Sequence, residues 1–233
     1  MTFRTDQEIA QLAEHAASKL GNPRATFLRA LIPLVGLEVT SPVYQAKIYR
    51  HDQPSRRKDL ATKQSGCVLV WDYAAEEAGL VNADIRRGAD IRSVTRGIGV
   101  MSLEGALARA KGALRVPNAK TRELPIEGDG VVMGGETPGI LWGKGGFSGS
   151  HMSCVVSVEA QVSGDSYTVD AIDGGQPGIH GRTRAYVWCG PRGDELWAAN
   201  LDDSGGYVLD PADMRPTKGR RVQYWIDLDA LLS

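Results

Sequence analysis

Of the three cysteines in this 233-residue chain, Cys67 stands where a thiol can become a nucleophile. Ser65-Gly66-Cys67 opens a run to Ala78 whose apolar residues cover one broad face before Gly79, a pattern that predicts a helix with Cys67 in its first turn. Free N–H groups and the positive end of the helix dipole favour an anion at that position, and the thiolate is the reactive form of cysteine. A thiolate needs a base. His151 begins the segment His-Met-Ser-Cys-Val-Val-Ser-Val, which reads as a strand, and a histidine at the start of a sheet strand can be brought opposite a helix N-terminus.

The base in turn needs an orienting acceptor. The next apolar segment carries Asp170, Asp173 and Gln176. Strand alternation sends Asp170 and Asp173 to opposite faces, so at most one of them meets His151. Asp173, at the end of the segment, is the expected partner, with Gln176 as a helper. The order Cys67, His151, Asp173 is that of a thiol acyl-transfer triad. An oxyanion hole would use the Cys67 N–H and a donor from Gln64 or Ser65. The Gly-rich stretch from Gly134 to Gly149 leads into His151 and is expected to wall the cleft, with Trp142 as an apolar contact. Gly139 to Lys144 falls one residue short of the phosphate-loop spacing, and Gly145 stands where a Ser or Thr must bind magnesium, which excludes nucleotide binding by that motif.

Competing readings of the same residues are weaker. Cys154 and Cys189 fall within apolar segments and are expected in the core, Cys154 on the face opposite His151 together with Met152, Val156 and Val158. His151, Cys154, His180 and Cys189 form a conceivable zinc set, but His151 and Cys154 are three apart on a strand and diverge, so no metal is assigned and no cofactor is called for. Arg184, Arg220 and Arg221 offer contacts to an acidic substrate, although strand-edge cations are more often simply solvated.

The elements that must position these residues follow from the pattern. Thr5-Asp6-Gln7-Glu8 is a capping box, followed by Ile9, Leu12, Ala16 and Leu20 at helical spacing and then by Gly21. Ala25 to Leu37 is a second apolar segment, broken at Pro33. Arg50 to Lys63 reads as a loop and Ser102 to Ala113 as a further helix. Strands are expected at Val131 to Met133, His151 to Val158, Tyr167 to Ile172, Arg184 to Cys189, Tyr207 to Leu209 and Arg221 to Leu228. Helices first and strands afterwards imply an α+β fold, with N-terminal helices packed on a mainly antiparallel β-sheet. One domain over 1–233 is expected, helical over about 1–115 and β-rich over about 125–233.

Composition narrows the class of function. An apolar content of 42% and a charged content of 24% are those of an ordinary globular chain, and a formal net charge of −1 lacks the positive field that nucleic-acid binding uses. An odd cysteine count argues against a disulfide framework. The N-terminal residues show neither a signal-peptide pattern nor a membrane span, so synthesis in the cytoplasm is expected.

Ser65-Gly66-Cys67 opening an apolar helix, then Glu127-Gly-Asp-Gly-Val-Val-Met133, then Ser150-His151-Met-Ser-Cys-Val-Val-Ser-Val158, resembles the NlpC-type and CHAP amidases. The resemblance spans roughly 65–176. It implies a papain-like fold, with Cys67 as nucleophile, His151 as base and a polar residue on the next strand as orienter. It also implies peptidoglycan stem peptides as substrate. A cell-wall role without a signal peptide points to delivery by a specialised secretion system or phage lysis, with an immunity protein or carrier as partner. Transfer to an acceptor other than water, as in an acyltransferase or deamidating toxin, uses the same dyad. An inactive peptide- or glycan-binding module is the reading from another class.

Overall fold

The computed structural model describes residues 4–48, 66–80, 112–134, 151–160, 166–174 and 178–232. Helix α1, Asp6–Lys19, starts at the expected capping box: the Glu8 N–H donates to the Thr5 hydroxyl at 3.3 Å, and the Thr5 N–H donates to the Glu8 carboxylate at 2.7 Å. Its buried stripe is Ile9, Ala13 and Ala17. Helix α2 covers Arg24–Leu31, and a single 3-10 turn at Ile32–Leu34 follows where Pro33 interrupts the α-helical bonding. Helix α3, Pro42–Lys47, is capped by the Ser41 hydroxyl. Helix α4, Gly66–Glu77, carries Cys67. Its end is closed by Gly79 at φ +71°, with Gly79 N–H donating to Glu76 and Leu80 N–H to Ala75, both at 2.9 Å.

The strands are β1 Leu114–Arg115, β2 Gly130–Gly134, β3 His151–Ala160, β4 Ser166–Gly174, β5 Ile179–Cys189, β6 Glu195–Asn200 and β7 Gly219–Ile226; helix α5, Leu228–Leu232, follows. Strand order is β1-β7-β2-β3-β4-β5-β6, and β6 pairs back onto β7 at Trp197–Arg221, Ala198–Arg220 and Ala199–Gly219. The six strands β2 to β7 therefore form a closed antiparallel barrel, with β1 added beside β7.

Closure overturns the expected α+β fold of papain-like type with helices on an open sheet. The reason lies in β6. Its sequence, Glu-Leu-Trp-Ala-Ala-Asn, carries two alanines and no β-branched residue, so its strand propensity is poor and the pairing partners decide its conformation. Tyr207 to Leu209, expected as a strand, makes only an isolated bridge from Leu209 to Pro216. The expected loop at Arg50 to Lys63 and nearly all of the expected helix at Ser102 to Ala113 lie outside the described residues.

Two faces of the barrel wall are buried in different ways. Val131, Met133, Val155, Val169, Tyr186, Trp188, Leu196, Ala198, Val222 and Trp225 fill the interior. Outside, Val132, Met152, Cys154, Val156 and Ile172 meet the helical layer through Ile9, Phe27, Leu28 and Trp71. Met152, Cys154 and Val156 share a face as alternation requires, but a register shift between Val155 and Ser157 turns Val158 toward the interior group. No helix among the described residues is long and apolar enough to cross a membrane.

Gly130 sets how closely α4 approaches the barrel. A Cβ there would lie 2.3 Å from Trp71 Nε1 and 2.6 Å from Met152 Cε. Trp71, fully buried, lies four residues along α4 from Cys67, so this close approach also fixes the start of the helix. Gly130→Ala is expected to displace Trp71 and to lower stability by about 1–3 kcal/mol. Urea unfolding of the two proteins measures this; equal midpoints would show that Trp71 has room to move.

Candidate active site

The structure places Cys67, His151 and Asp173 at one end of the barrel, on three different elements. Cys67 is the second residue of α4 and is buried at the junction of helix and barrel. His151 is the first residue of β3, where the strand leaves the rim, and its imidazole is a hydrogen-bond partner of the Cys67 thiol. Asp173 lies near the end of β4, opposite Ser153. His151, Ser153 and Asp173 have the parity of the inward-facing Val155 and Val169, so their side chains project into the barrel mouth.

His151 Nε2 lies 2.9 Å from Asp173 Oδ2. The distance is that of an ion pair. With Nε2 turned to the carboxylate, Nδ1 is the ring nitrogen left for the thiol. Burial by itself disfavours the imidazolium, but Asp173 and Cys67 outweigh it and lift His151 to about 9.

Asp173 has further partners. Burial would raise its pKa, yet the Arg184 guanidinium and His151 hold the carboxyl well below the usual carboxylate range. Arg184 Nη2 donates to Oδ2, Arg184 Nη1 donates to Oδ1 at 3.3 Å, and the Ser153 hydroxyl donates to Oδ1. Arg184, read from sequence as a solvated edge cation, is thus a partly buried member of the site. Its position did carry a signal: Arg184 alternates with Tyr186 and Trp188 on the aromatic, inward face of β5, where a cation requires a buried partner. Ser153 gave no comparable signal. Arg221, by contrast, lies at the opposite sheet seam, 3.7 Å from Glu195.

Asp170 is on the other side of the wall. It accepts from the Thr183 hydroxyl at 2.6 Å and pairs with Arg4 at 3.1 Å, away from His151. Gln64, Ser65, Trp142 and Gln176, the expected oxyanion, wall and helper residues, lie outside the described residues. The conceivable zinc set is not assembled. His180 pairs with Asp6 of α1 at 3.1 Å, while Cys189 lies nine residues further along β5, roughly 30 Å of extended strand. Among the described residues no group of three or more His, Cys, Asp or Glu could hold a metal ion.

Chemically, a helix-start thiol, an imidazole and a permanently ionised carboxylate are the components of nucleophilic acyl transfer. A scan against protein-family models finds no match to this chain, and searches of curated proteins and of solved structures also find none.

The three thiols differ in environment. Burial pushes Cys154 far above the ordinary thiol range and Cys189 up to about 12, whereas Cys67 has a helix N-terminus and an imidazole beside it. Iodoacetamide at neutral pH is therefore expected to label Cys67 well before the other two. Peptide mass mapping reads the order, and equal labelling of all three would remove the distinction.

Proposed function

We propose that this protein is a cysteine amidase or endopeptidase that cleaves an amide through an acyl-enzyme on Cys67. The observation that carries the reading is the meeting of Cys67, His151 and Asp173 at one barrel end, from positions far apart in the chain. The substrate class rests on the ordered residues that resemble the NlpC-type and CHAP amidases, and points to peptidoglycan stem peptides. The closed barrel removes the architectural part of that resemblance, so the triad and its order are what support it.

The raised affinity of His151 for its proton favours a thiolate–imidazolium pair over a neutral base waiting for a proton. The thiolate attacks the amide carbonyl, and the imidazolium gives its proton to the departing amine. The neutral imidazole then takes a proton from water, which attacks the thioester and releases the acid. Asp173, ionised throughout, stabilises the charged ring during the first half and keeps it oriented in the second.

Incubation with purified muropeptides is expected to release fragments of a mass that names the cleaved amide, and Cys67→Ala is expected to release none. Intact muropeptides beside a rapidly alkylated Cys67 would exclude the cell-wall substrate and favour another acyl donor or acceptor.

The pH dependence follows from the same pair. The folded state binds the His151 proton more tightly than the unfolded chain, so the pairing adds stability that is complete below about pH 6.5 and is lost as pH rises through about 9. Turnover is expected to show a descending limb near pH 9, where His151 loses the proton it gives to the departing amine, whereas alkylation of Cys67 is expected to persist above it because the thiolate remains. A stopped-flow pH profile checks this, and a limb near 6.5 would show an unpaired histidine.

A further inference from the structure

We propose that Arg184 is a positioning residue of this site: its guanidinium fork fixes the Asp173 carboxylate and competes with His151 for Oδ2, and so sets how tightly the imidazole holds its proton. The inference rests on the reading of Cys67, His151 and Asp173 as a triad, and adds to it a control on the basicity of the histidine.

The geometry carries the argument. In a triad whose carboxylate faces only the histidine, the imidazole is the main charge partner of the acid. Here both carboxylate oxygens are engaged independently of His151. Arg184 Nη2 donates to Oδ2, the same oxygen that His151 Nε2 approaches to 2.9 Å. Arg184 Nη1 donates to Oδ1 and to the Ser153 hydroxyl, both at 3.3 Å, and the Ser153 hydroxyl donates to Oδ1. A planar guanidinium bonded to both oxygens fixes the plane of the carboxylate, and with it the direction in which Oδ2 faces the ring.

Arginine does not titrate in this range, so its charge is present whether His151 is protonated or neutral. Two consequences follow. The Arg184 cation partly neutralises the field that Asp173 exerts on the ring, which holds His151 below the basicity that a lone Asp173 would give it. When His151 gives up its proton, the carboxylate keeps charged and neutral donors and is not stranded in the barrel mouth. Among the described residues, the charged and titratable groups facing His151 are Asp173 from β4 and Cys67 from α4, with Tyr186 of β5 coupled to Asp173 behind it. Arg184 from β5 stands behind Asp173, and Cys154, on β3 itself, is turned to the outer face.

The test is an NMR titration of the His151 imidazole in three proteins: wild type, Arg184→Met and Arg184→Lys. Arg184→Met removes the competing charge and should move the midpoint upward by roughly one pH unit. Arg184→Lys keeps the charge but loses the fork, and should move it the same way by only a few tenths. A folded Arg184→Met protein with the wild-type midpoint would overturn the proposal and leave Arg184 a purely structural cation. Should Arg184→Met fail to fold, Arg184→Lys decides by the same criterion: an upward shift supports the proposal and an unmoved midpoint overturns it. No substrate enters this measurement. Failure of the nucleophile reading would instead appear as slow alkylation of Cys67 in the wild-type protein, whatever the His151 midpoint does.

Discussion

The pairing of β6 with β7 is the constraint on which the molecule depends. Without it the strands would form an open, curled sheet with two exposed edges, and the face that carries Asp173 and Arg184 would be wetted. With it, that face becomes the lining of a lumen closed by Tyr186, Trp188 and Trp225. The seam is close: a Cβ on Gly219 would lie 2.7 Å from the Ala198 carbonyl oxygen. Small residues on both strands let the two backbones meet. An ion pair in water contributes little, and the sheltered rim is what makes the Asp173 charge felt by His151.

The barrel and the helical layer divide the work of building the site. β3 and β4 supply His151, Ser153 and Asp173 from one pairing register, with Ser153 directly across from Asp173. α4 supplies Cys67 from outside the wall, held by Trp71 against Gly130. Asp6, in the first turn of α1, accepts the Gly181 N–H at 2.6 Å and pairs with His180, Asp173's own cross-strand partner, which pins that helix to β5. The thiol thus belongs to one layer and its partners to the other, and their meeting reports how well the two layers are docked.

Cys67, His151 and Asp173 could be singled out in the sequence because their signals are local, while Gln64, Ser65, Trp142 and Gln176 lie outside the described residues. A cysteine behind Ser-Gly at the start of an apolar helix, a histidine opening a strand and an aspartate closing the next one each announce themselves within a few residues. Alternation also separated Asp173 from Asp170 correctly. The architecture was not legible, because closure depends on β6, whose Leu-Trp-Ala-Ala core has no strand signature of its own. The β3 irregularity that turns Val158 inward has no local mark either. Arg184 was misread for a related reason: a cation on a strand is an edge feature in an open sheet and a lumen feature in a closed one, so its meaning waited on the topology.

Arg24 bears on how the chain is made. Almost wholly buried at the start of α2, it donates to the Glu127 carbonyl oxygen and to Asp129, both at 2.7 Å, and to Asp227 at 3.0 Å and Asp229 at 2.8 Å. Two of these acceptors lie more than 200 residues further along the chain. During synthesis from the N-terminus, the helices emerge with a guanidinium that only water solvates, its protein acceptors not yet made. Docking them against the barrel before residues 219–229 have left the ribosome would bury that charge with only part of its shell, and the barrel itself lacks β7 until then. The ordering of this fold in time is therefore set from its far end: early segments can form helices and hairpins, but assembly is a late, concerted event.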